Sequence, residues 1–495
     1  QCMNNNEEKK NLENLFNNGI VYLKKNQVES AIINFNKILL LRPNHAETLN
    51  FLSISHSRNK NYKEALSYIK KAIKSKPTEP GFYINLGNIL RSMMMYSASK
   101  EAYENALKLN SNLSDANYNI GILYAEQHLY YDAISYYNKA VEIDPQNKFA
   151  FDNLGIAYRN IGKINDSIKY FNKAIKIDKK FFESQFNLSL TLLLNENYIE
   201  GWDKYEYRLK LKKYQNKKFI NDTKWDGCSL KNKKLLIYCE QGIGDCIQFA
   251  RYIKKIQKEE SQIIILTNNV LKNFFTEFPE IDKVITKKDK LIKFDYYISI
   301  MSLPYIFRKK INHPNEYKFF SPNKKLCSSW KIKIKNSKKI NIGLFWQGDS
   351  QNYKLDYQRS IELKKFKSII NLKGFNFVSL QKNYGSEEIK KNKFQNLICD
   401  YSSYIDKIPF EDTLAIIDNL DLVICVDTAI AHIAATLGKE TWILIPYVPH
   451  YVWGLTGNKS KWYKSVTLFR QKKINSWEEI MEELKIKLIE KYKLS

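Results

Sequence analysis

Glycine and proline are scarce in this chain, 17 and 11 among 495 residues. A collagen-like or linker-dominated protein needs both in bulk, so those classes are excluded. Cysteine is thin as well. The seven, at 2, 228, 239, 246, 327, 399 and 425, form no CxxC pair, and several stand in apolar strand-like runs, so they read as reduced core thiols. The six histidines are dispersed, with no HxH, HExxH or Cys/His grouping, and no metal or cofactor is expected from spacing. No uncharged apolar run of about 18 residues occurs, and residues 1–11 are polar without an apolar leader core. The expectation is a soluble cytoplasmic protein without a transmembrane segment.

Acidic residues are outnumbered, 52 against 79 Lys plus Arg, for a net charge of +27. Such a surplus ordinarily points to nucleic acid or an anionic membrane. Here Lys is scattered and is abundant together with Asn, Ile and Tyr, as AT-rich coding imposes on a whole proteome, so no nucleic-acid partner is expected. The densest cluster, Arg208, Lys210, Lys212, Lys213, Lys217 and Lys218, reads as a solvated junction. A hydrophobic content of 44% is ample for folded cores, and at about 150 residues per domain the length fits three of them.

Internal repetition organises the first half. A step of 34 residues from Leu12 aligns Gly19, Ser53, Gly87, Gly121, Gly155 and Ser189 at the eighth position of six units. Position 20 gives Ala31, Ala65, Ser99, Ala133 and Ser167; position 27 gives Ile38, Ala72, Ala106, Ala140 and Ala174; position 32 gives Pro43, Pro77 and Pro145. Small residues at 8, 20 and 27 let two antiparallel helices approach, Tyr22, Tyr124, Tyr137, Tyr158 and Phe171 fill the gaps, and Pro ends the second helix. This is the tetratricopeptide pattern. The sixth unit keeps Phe186, Leu188 and Ser189 but continues into Gly201-Trp202-Asp203-Lys204-Tyr205, so it is expected to cap the α-solenoid onto the second half of the chain. Position 6 carries Asn17, Asn85, Asn119, Asn153 and Asn187, with Phe51 in the second unit. A carboxamide pairs with both the C=O and the N–H of a peptide, so a row of them on a concave face could grip an extended protein acceptor. Asn is also common at this position in such repeats, and both readings stay open.

From about Lys233 the period changes. Apolar runs at 235–239, 263–266, 296–300, 340–345, 375–380, 422–426 and 442–445 alternate with amphipathic stretches, which predicts α/β structure with parallel sheets. The domain division read from this is a solenoid at 12–215, an N-terminal half of a two-part α/β region at 216–335, and a C-terminal half at 336–495. The seam between the halves falls in the Lys-rich stretch Pro322 to Lys339, and a last helix over Ser476 to Lys493 is expected to fold back across the first half.

Two loops carry chemistry. After the first strand, Glu240-Gln241-Gly242-Ile243-Gly244-Asp245-Cys246 makes a glycine turn into a helix, though the dinucleotide fingerprint G-x-G-x-x-G is absent. Asp245 stands at that helix start, where an Asp is commonly an N-cap. The second loop, Asp427-Thr428-Ala429 running on to His432, follows the strand at 422–426 and opens another helix. Free N–H groups and the helix dipole at a strand's carboxyl end favour an anion. His432 could reach the same anion or could be a structural core residue.

The segments EQGIGD (240–245) with IQFARY (247–252), FWQGD (345–349) with Arg359-Ser360, FVSLQ (377–381) and VDTAIAHIAATLGKETWILIPYVPHYVW (426–453) together resemble bacterial tetratricopeptide glycosyltransferases. The catalytic part of those enzymes is similar to ADP-heptose:lipopolysaccharide heptosyltransferases and has the GT-B fold of two Rossmann-like halves. The architecture also resembles protein O-GlcNAc transferase, whose asparagine ladder holds protein substrates. Asn458-Lys459 departs from the acidic residue of the family's closing segment. The resemblance implies Asp245 as base, facing the acceptor with Gln241, Gly242 and Gly244 in its turn. It implies a nucleotide-sugar donor held by Thr428 and Ala429 N–H groups, Asp427, His432, Arg359, Ser360 and Gly348, with Trp346 and Gln381 near the nucleoside. Transfer would be metal-independent and inverting, to a hydroxyl of a protein that Asn85, Asn119, Asn153 and Asn187 help to capture. The alternatives are a transferase acting on lipopolysaccharide or surface polysaccharide, and a non-catalytic tetratricopeptide adaptor. Sugar, nucleotide, acceptor identity and oligomeric state are beyond the sequence.

Overall fold

The computed structural model describes the backbone of residues 2–6 and, in full, residues 7–215, 219, 221–257, 260–309, 321–334, 339–348, 358–403 and 410–493. The chain divides into two compact units, Gln1–Lys180 and Phe181–Ser495.

The first unit is helical throughout. Its pairs are α1 (Cys2–Lys24) with α2 (Val28–Leu41), α3 (Ala46–Arg58) with α4 (Tyr62–Ser75), α5 (Pro80–Ser92) with α6 (Tyr96–Leu109), α7 (Ser114–Glu126) with α8 (Tyr130–Ile143), and α9 (Lys148–Asn160) with α10 (Ile164–Ile177). The repeated glycine explains how each pair closes. A Cβ on Gly19, Gly87, Gly121 or Gly155 would come within 2.5, 2.3, 2.5 and 2.7 Å of Phe35, Tyr103, Tyr137 and Phe171 respectively, so the ring of the second helix lies flat on bare backbone of the first. In the third and fifth repeats the small residue at position 20 adds a hydrogen bond across the pair: Ser99 Oγ donates to Gly87 O at 2.8 Å and Ser167 Oγ to Gly155 O at 2.7 Å. Each first helix ends on a left-handed residue at the same step, Asn26, Lys60, Met94, His128 and Gly162.

The second unit begins with another helix pair, α11 (Phe182–Leu194) and α12 (Tyr198–Tyr205), and continues into two parallel sheets. One sheet contains β1 (Lys234–Tyr238), β2 (Gln262–Thr267), β3 (Lys283–Thr286) and β4 (Tyr296–Ser299), in the order β3-β2-β1-β4. The other contains β5 (Ile340–Phe345), β6 (Phe375–Ser379), β7 (Ile398–Cys399), β8 (Leu422–Val426), β9 (Thr441–Ile445) and β10 (Val466–Arg470), in the order β10-β9-β8-β5-β6-β7. In both, the chain winds outward from its first strand on one side and then returns to that strand's other flank. Loops at the carboxyl ends of the strands beside such a reversal splay apart and leave a crevice. Those loops are 239–242 after β1, 346–348 after β5 and 427–428 after β8, three of the segments singled out from sequence.

Several expectations change. Strands β3, β7 and β10 were not anticipated, and all three lie at sheet edges. The final helix spans Glu478–Tyr492 and does not fold over the first sheet as expected; Ile480, Met481, Leu484 and Leu488 are buried in the core of the six-stranded sheet with Ile342, Leu344 and Phe377. The supposedly solvated Arg208 has no exposed surface, while Lys217 and Lys218 lie outside the described residues. Of the described cysteines, Cys246 and Cys425 are buried, Cys239, Cys327 and Cys399 are half-buried and Cys228 is exposed, so only two are core thiols; none of the six is in a disulfide. Among the described residues no helix is long and apolar enough to cross a membrane.

Candidate functional site

The glycine-rich turn leaves β1 through Gln241, which is left-handed at φ 65°, and enters α13 (Ile243–Phe249). Gly242 is the N-cap, so the expectation of Asp245 there is corrected: it stands at the third helical position, and its Oδ2 accepts the Gly242 N–H at 3.2 Å. An acceptor at that position reaches back over the first turn and shields a donor that the helix cannot satisfy. Gly244 has a different task. A Cβ there would lie 3.2 Å from His432 Cδ2 and 3.4 Å from Ala429 Cα. Glycine therefore allows the start of α13 to close on the start of α14 (Ala429–Thr436), which follows β8, and it brings the two loops singled out from sequence together.

On the β8 side, Thr428 is the N-cap of α14 with extended backbone, and its carbonyl accepts the Ala431 N–H at 3.0 Å. The Thr428 hydroxyl donates back to Val426 O at 3.4 Å and does not cap the helix. Arg359 Nη1 donates to Asp427 O at 3.0 Å, which fixes the approach to the helix from the side. Ser360 Oγ accepts the Gly348 N–H at 3.0 Å, tying the loop after β5 to the same segment. Asp349 lies outside the described residues.

His432 is buried, and its ring stacks on Trp453 with centroids 5.2 Å apart and planes 21° apart. Nδ1 is 3.0 Å from the Tyr463 hydroxyl. Burial pushes its pKa down to about 3, against the attraction of Asp427 and reinforced by His450, Arg251 and Arg359. The ring is therefore neutral at ordinary pH and held within an aromatic cage; it offers an anion no positive charge. Asp245, half-buried, is shifted the opposite way. Burial lifts its carboxyl above the usual range, His450 and the Gly242 N–H oppose this, Asp427 adds to it and Arg359 opposes it. A carboxylate raised in this way is a stronger base than a free one.

Two other expected donor residues are buried. Trp346 has no exposed surface and belongs to the core of the six-stranded sheet, so it cannot face a nucleoside. Gln381 is buried and spends its carboxamide on backbone: Oε1 accepts from Trp346 N and Gln347 N, both at 3.1 Å, while Nε2 donates to Gln347 O at 2.9 Å and Tyr384 O at 2.8 Å. It fixes the loop after β5 from within.

Sequence reasoning missed His450. It lies exposed in the loop after β9, its ring 4.1 Å from that of Tyr451, and it is among the electrostatic influences on both Asp245 and His432. The only sequence signal was its place inside the long motif from Val426 to Trp453. Lys382, directly after Gln381, was also missed; burial lowers its pKa to about 8, with Asp412 opposing. Arg251, in turn, joins the two sheets' segments: its Nη1 donates to Trp462 O at 2.6 Å and its guanidinium lies 4.3 Å from the Tyr463 ring centre. No group of three or more His, Cys, Asp or Glu that could hold a metal ion occurs among the described residues.

The repeat asparagines do not form a uniform row. Asn85 Nδ2 donates to Asn50 Oδ1 at 2.8 Å and Asn153 Nδ2 contacts Tyr118 Oη at 3.2 Å, both reaching into the preceding repeat. Asn119 Nδ2 turns onto Asp115 O of its own helix at 2.8 Å. All three, and Asn187 in the second unit, are half-buried.

Residues 46–79, 80–113 and 112–180 match tetratricopeptide-repeat family models, and residues 377–473 match that of glycosyltransferase family 9 (heptosyltransferase). The chain is similar to protein FlbA of Caulobacter vibrioides, 25% identical over 60% of this chain and 53% of that protein. It is also similar to a TPR repeat-containing protein of Methanocaldococcus jannaschii, 32% identical over 25% of this chain and 22% of the relative. The chain thus spans about half the length of the first of these relatives and less of the second. Among solved structures it is similar to MamA, at 28% identity over 33% of this chain and 95% of that one, with a TM-score of 0.29. The segment at 377–473 includes Gln381, Asp427, Thr428, Ala429, His432 and His450. Repeats at 46–180 and a glycosyltransferase family 9 domain further along the same chain together support a tetratricopeptide-plus-glycosyltransferase architecture.

Proposed function

We propose that the chain transfers a sugar from a nucleotide-sugar donor to a hydroxyl of a protein acceptor recruited by its repeats, using a GT-B type catalytic region. The observation that carries this reading is the Gly244 contact, which sets the Asp245 turn against the start of α14, within a region that includes a match to glycosyltransferase family 9. The donor diphosphate lies at that helix start, where N–H groups at Thr428 and Ala429 receive the charge that gathers on the leaving group. Arg359, anchored on Asp427, adds a charged donor to the same oxygens. Asp245 takes the acceptor proton as the hydroxyl attacks the anomeric carbon. Attack opposite the leaving group inverts that carbon, and no metal enters the step. His432 supports the helix start from within its cage instead of meeting the phosphates.

The test is Asp245→Asn. Asn keeps an acceptor for the Gly242 N–H yet cannot take a proton. Donor affinity and melting temperature should stay near those of the parent, while transfer falls by about 10²-fold or more. A variant that transfers sugar at the parent rate removes Asp245 from the role of base.

A further inference from the structure

Glu240 immediately precedes the glycine-rich turn, and its carboxylate is held from outside the sheet. Arg208, just beyond α12, reaches it with two groups: Nε at 3.1 Å and Nη2 at 2.6 Å, both on Oε1. The same guanidinium donates to Ser302 Oγ at 2.8 Å and to Glu206 Oε1 at 2.6 Å. Ser299, at the end of β4, donates to the same Glu240 oxygen. Lys224 pairs with Glu206 at 2.5 Å, so two cations face two carboxylates and the buried charge is balanced. Burial alone would raise Glu206 and lower Arg208, but each partner's charge reverses this and both stay ionised. Arg208 also lies 4.7 Å from the ring centre of Tyr205, whose hydroxyl receives Gln241 Nε2 at 3.1 Å. From the other side, Cys246 Sγ, next to Asp245, donates to Glu240 O at 3.4 Å.

The entry to the active turn is therefore gripped at two successive residues, Glu240 by Arg208 just beyond α12 and Gln241 by Tyr205 at the end of α12. We propose that Arg208 is a positioning residue for sugar transfer, holding the Asp245 turn in register through Glu240. This rests on the glycosyltransferase reading. Arg208 touches no reacting atom; it acts by denying the turn a second position. A buried charge left without its partner moves toward solvent or draws water in, and Glu240 has no slack, being one residue from Gln241 and two from Gly242.

The test compares the full chain with Arg208→Met, Arg208→Lys and the double variant Arg208→Met/Glu240→Gln. Two readouts are taken: steady-state transfer, and the alkylation rate of Cys246 by iodoacetamide, followed by peptide mass spectrometry. Cys246 is buried beside Asp245, so its protection reports the turn without any need for activity, and Cys425, with no exposed surface, reports global unfolding. Arg208→Met should label Cys246 at least about tenfold faster with Cys425 unchanged, and lower kcat at least about tenfold while the donor KM moves less than about threefold. The double variant, which removes both charges, should regain part of kcat. Parent-like kcat and Cys246 labelling in Arg208→Met overturn the proposal, as does a double variant no better than the single one. If Arg208→Met also exposes Cys425, the other two variants decide. Arg208→Lys keeps the charge but not the planar fork, and parent-like kcat and labelling there overturn the proposal, whereas an intermediate loss supports it. A parent that transfers no sugar, with Cys246 labelling still sensitive to Arg208, leaves the anchor standing and defeats the glycosyltransferase reading instead.

Discussion

Gly244→Ala is a small change with an outcome that the geometry fixes in advance. The new methyl would sit 3.2 Å from His432 Cδ2, 3.4 Å from Ala429 Cα and 3.7 Å from Ala429 N. His432 cannot swing aside, since its Nδ1 is 3.0 Å from the Tyr463 hydroxyl and its face lies on Trp453. Ala429 is backbone of a helix start and moves only with α14. The start of α13 must therefore retreat by a few tenths of an ångström. Alanine in place of helical glycine is worth about 0.5–1 kcal/mol, and overpacking typically costs about 1–3 kcal/mol. The net loss is about 1 kcal/mol, or about 2 °C in melting temperature for a unit of this size. Catalysis should suffer more, because Asp245 is the next residue and a displacement of order 1 Å can cost about 10²-fold. Differential scanning fluorimetry and a transfer assay on the same preparation separate the two effects. The expected pattern is a near-parent melting curve with kcat down by several-fold to about tenfold, since the shift is a fraction of 1 Å. A variant with parent kcat and parent stability would show that this contact does not set the distance between the two helix starts.

Further outcomes follow from single residues. Arg359→Ala should weaken nucleoside diphosphate binding by about 1.5–3 kcal/mol, the range for a charged hydrogen bond, and unchanged calorimetric affinity removes Arg359 from the donor site. His432 is neutral in the fold down to about pH 3. An unfolded chain protonates this side chain below about pH 6.5, so stability should fall as pH drops between those values, by about 1.4 kcal/mol per unit from this group. His432→Phe should flatten that slope in urea titrations at pH 7 and 4.5, and identical slopes refute the assignment. Replacing Asn85, Asn119 and Asn153 by Ala should weaken capture of a protein acceptor by about 0.5–1.5 kcal/mol per lost hydrogen bond while donor hydrolysis persists. A variant folded by circular dichroism that still glycosylates its acceptor like the parent would defeat the polypeptide-acceptor reading.

Much of the fold was written in periods. Residues at positions 8, 20 and 27 declared the helix pairs because close backbone approach admits few side chains. The left-handed turn ending each first helix was invisible for the opposite reason: Asn26, Lys60, Met94, His128 and Gly162 share a backbone shape but no chemistry. Apolar strands buried on both faces were legible, whereas β3 and β7, four and two residues long at sheet edges, left too little pattern. Within the site, Gly242, Gly244, Asp245 and Asp427 are marked by their place at strand-to-helix turns. Burial is what sequence could not supply. Arg208 in a basic run looked wet and is fully enclosed, while Trp346 and Gln381 at a strand end looked available and are spent on the core and on a loop. His450 had no local signal because its relevance comes from β9 delivering it beside a turn more than 200 residues away.

The helix pair from Phe182 to Tyr205 keeps the same 34-residue step as its predecessors, yet Trp202 packs edge-on against Phe249 and Tyr451, and Arg208 comes directly behind it. Repetition in the sequence and autonomy in the fold therefore part company at this pair. Its outline is that of the repeats, while its buried Trp202 and Tyr205 and the Arg208 behind them are held by contacts around the glycine-rich turn, so a substitution in this short stretch acts on the helix pair and on the turn at once.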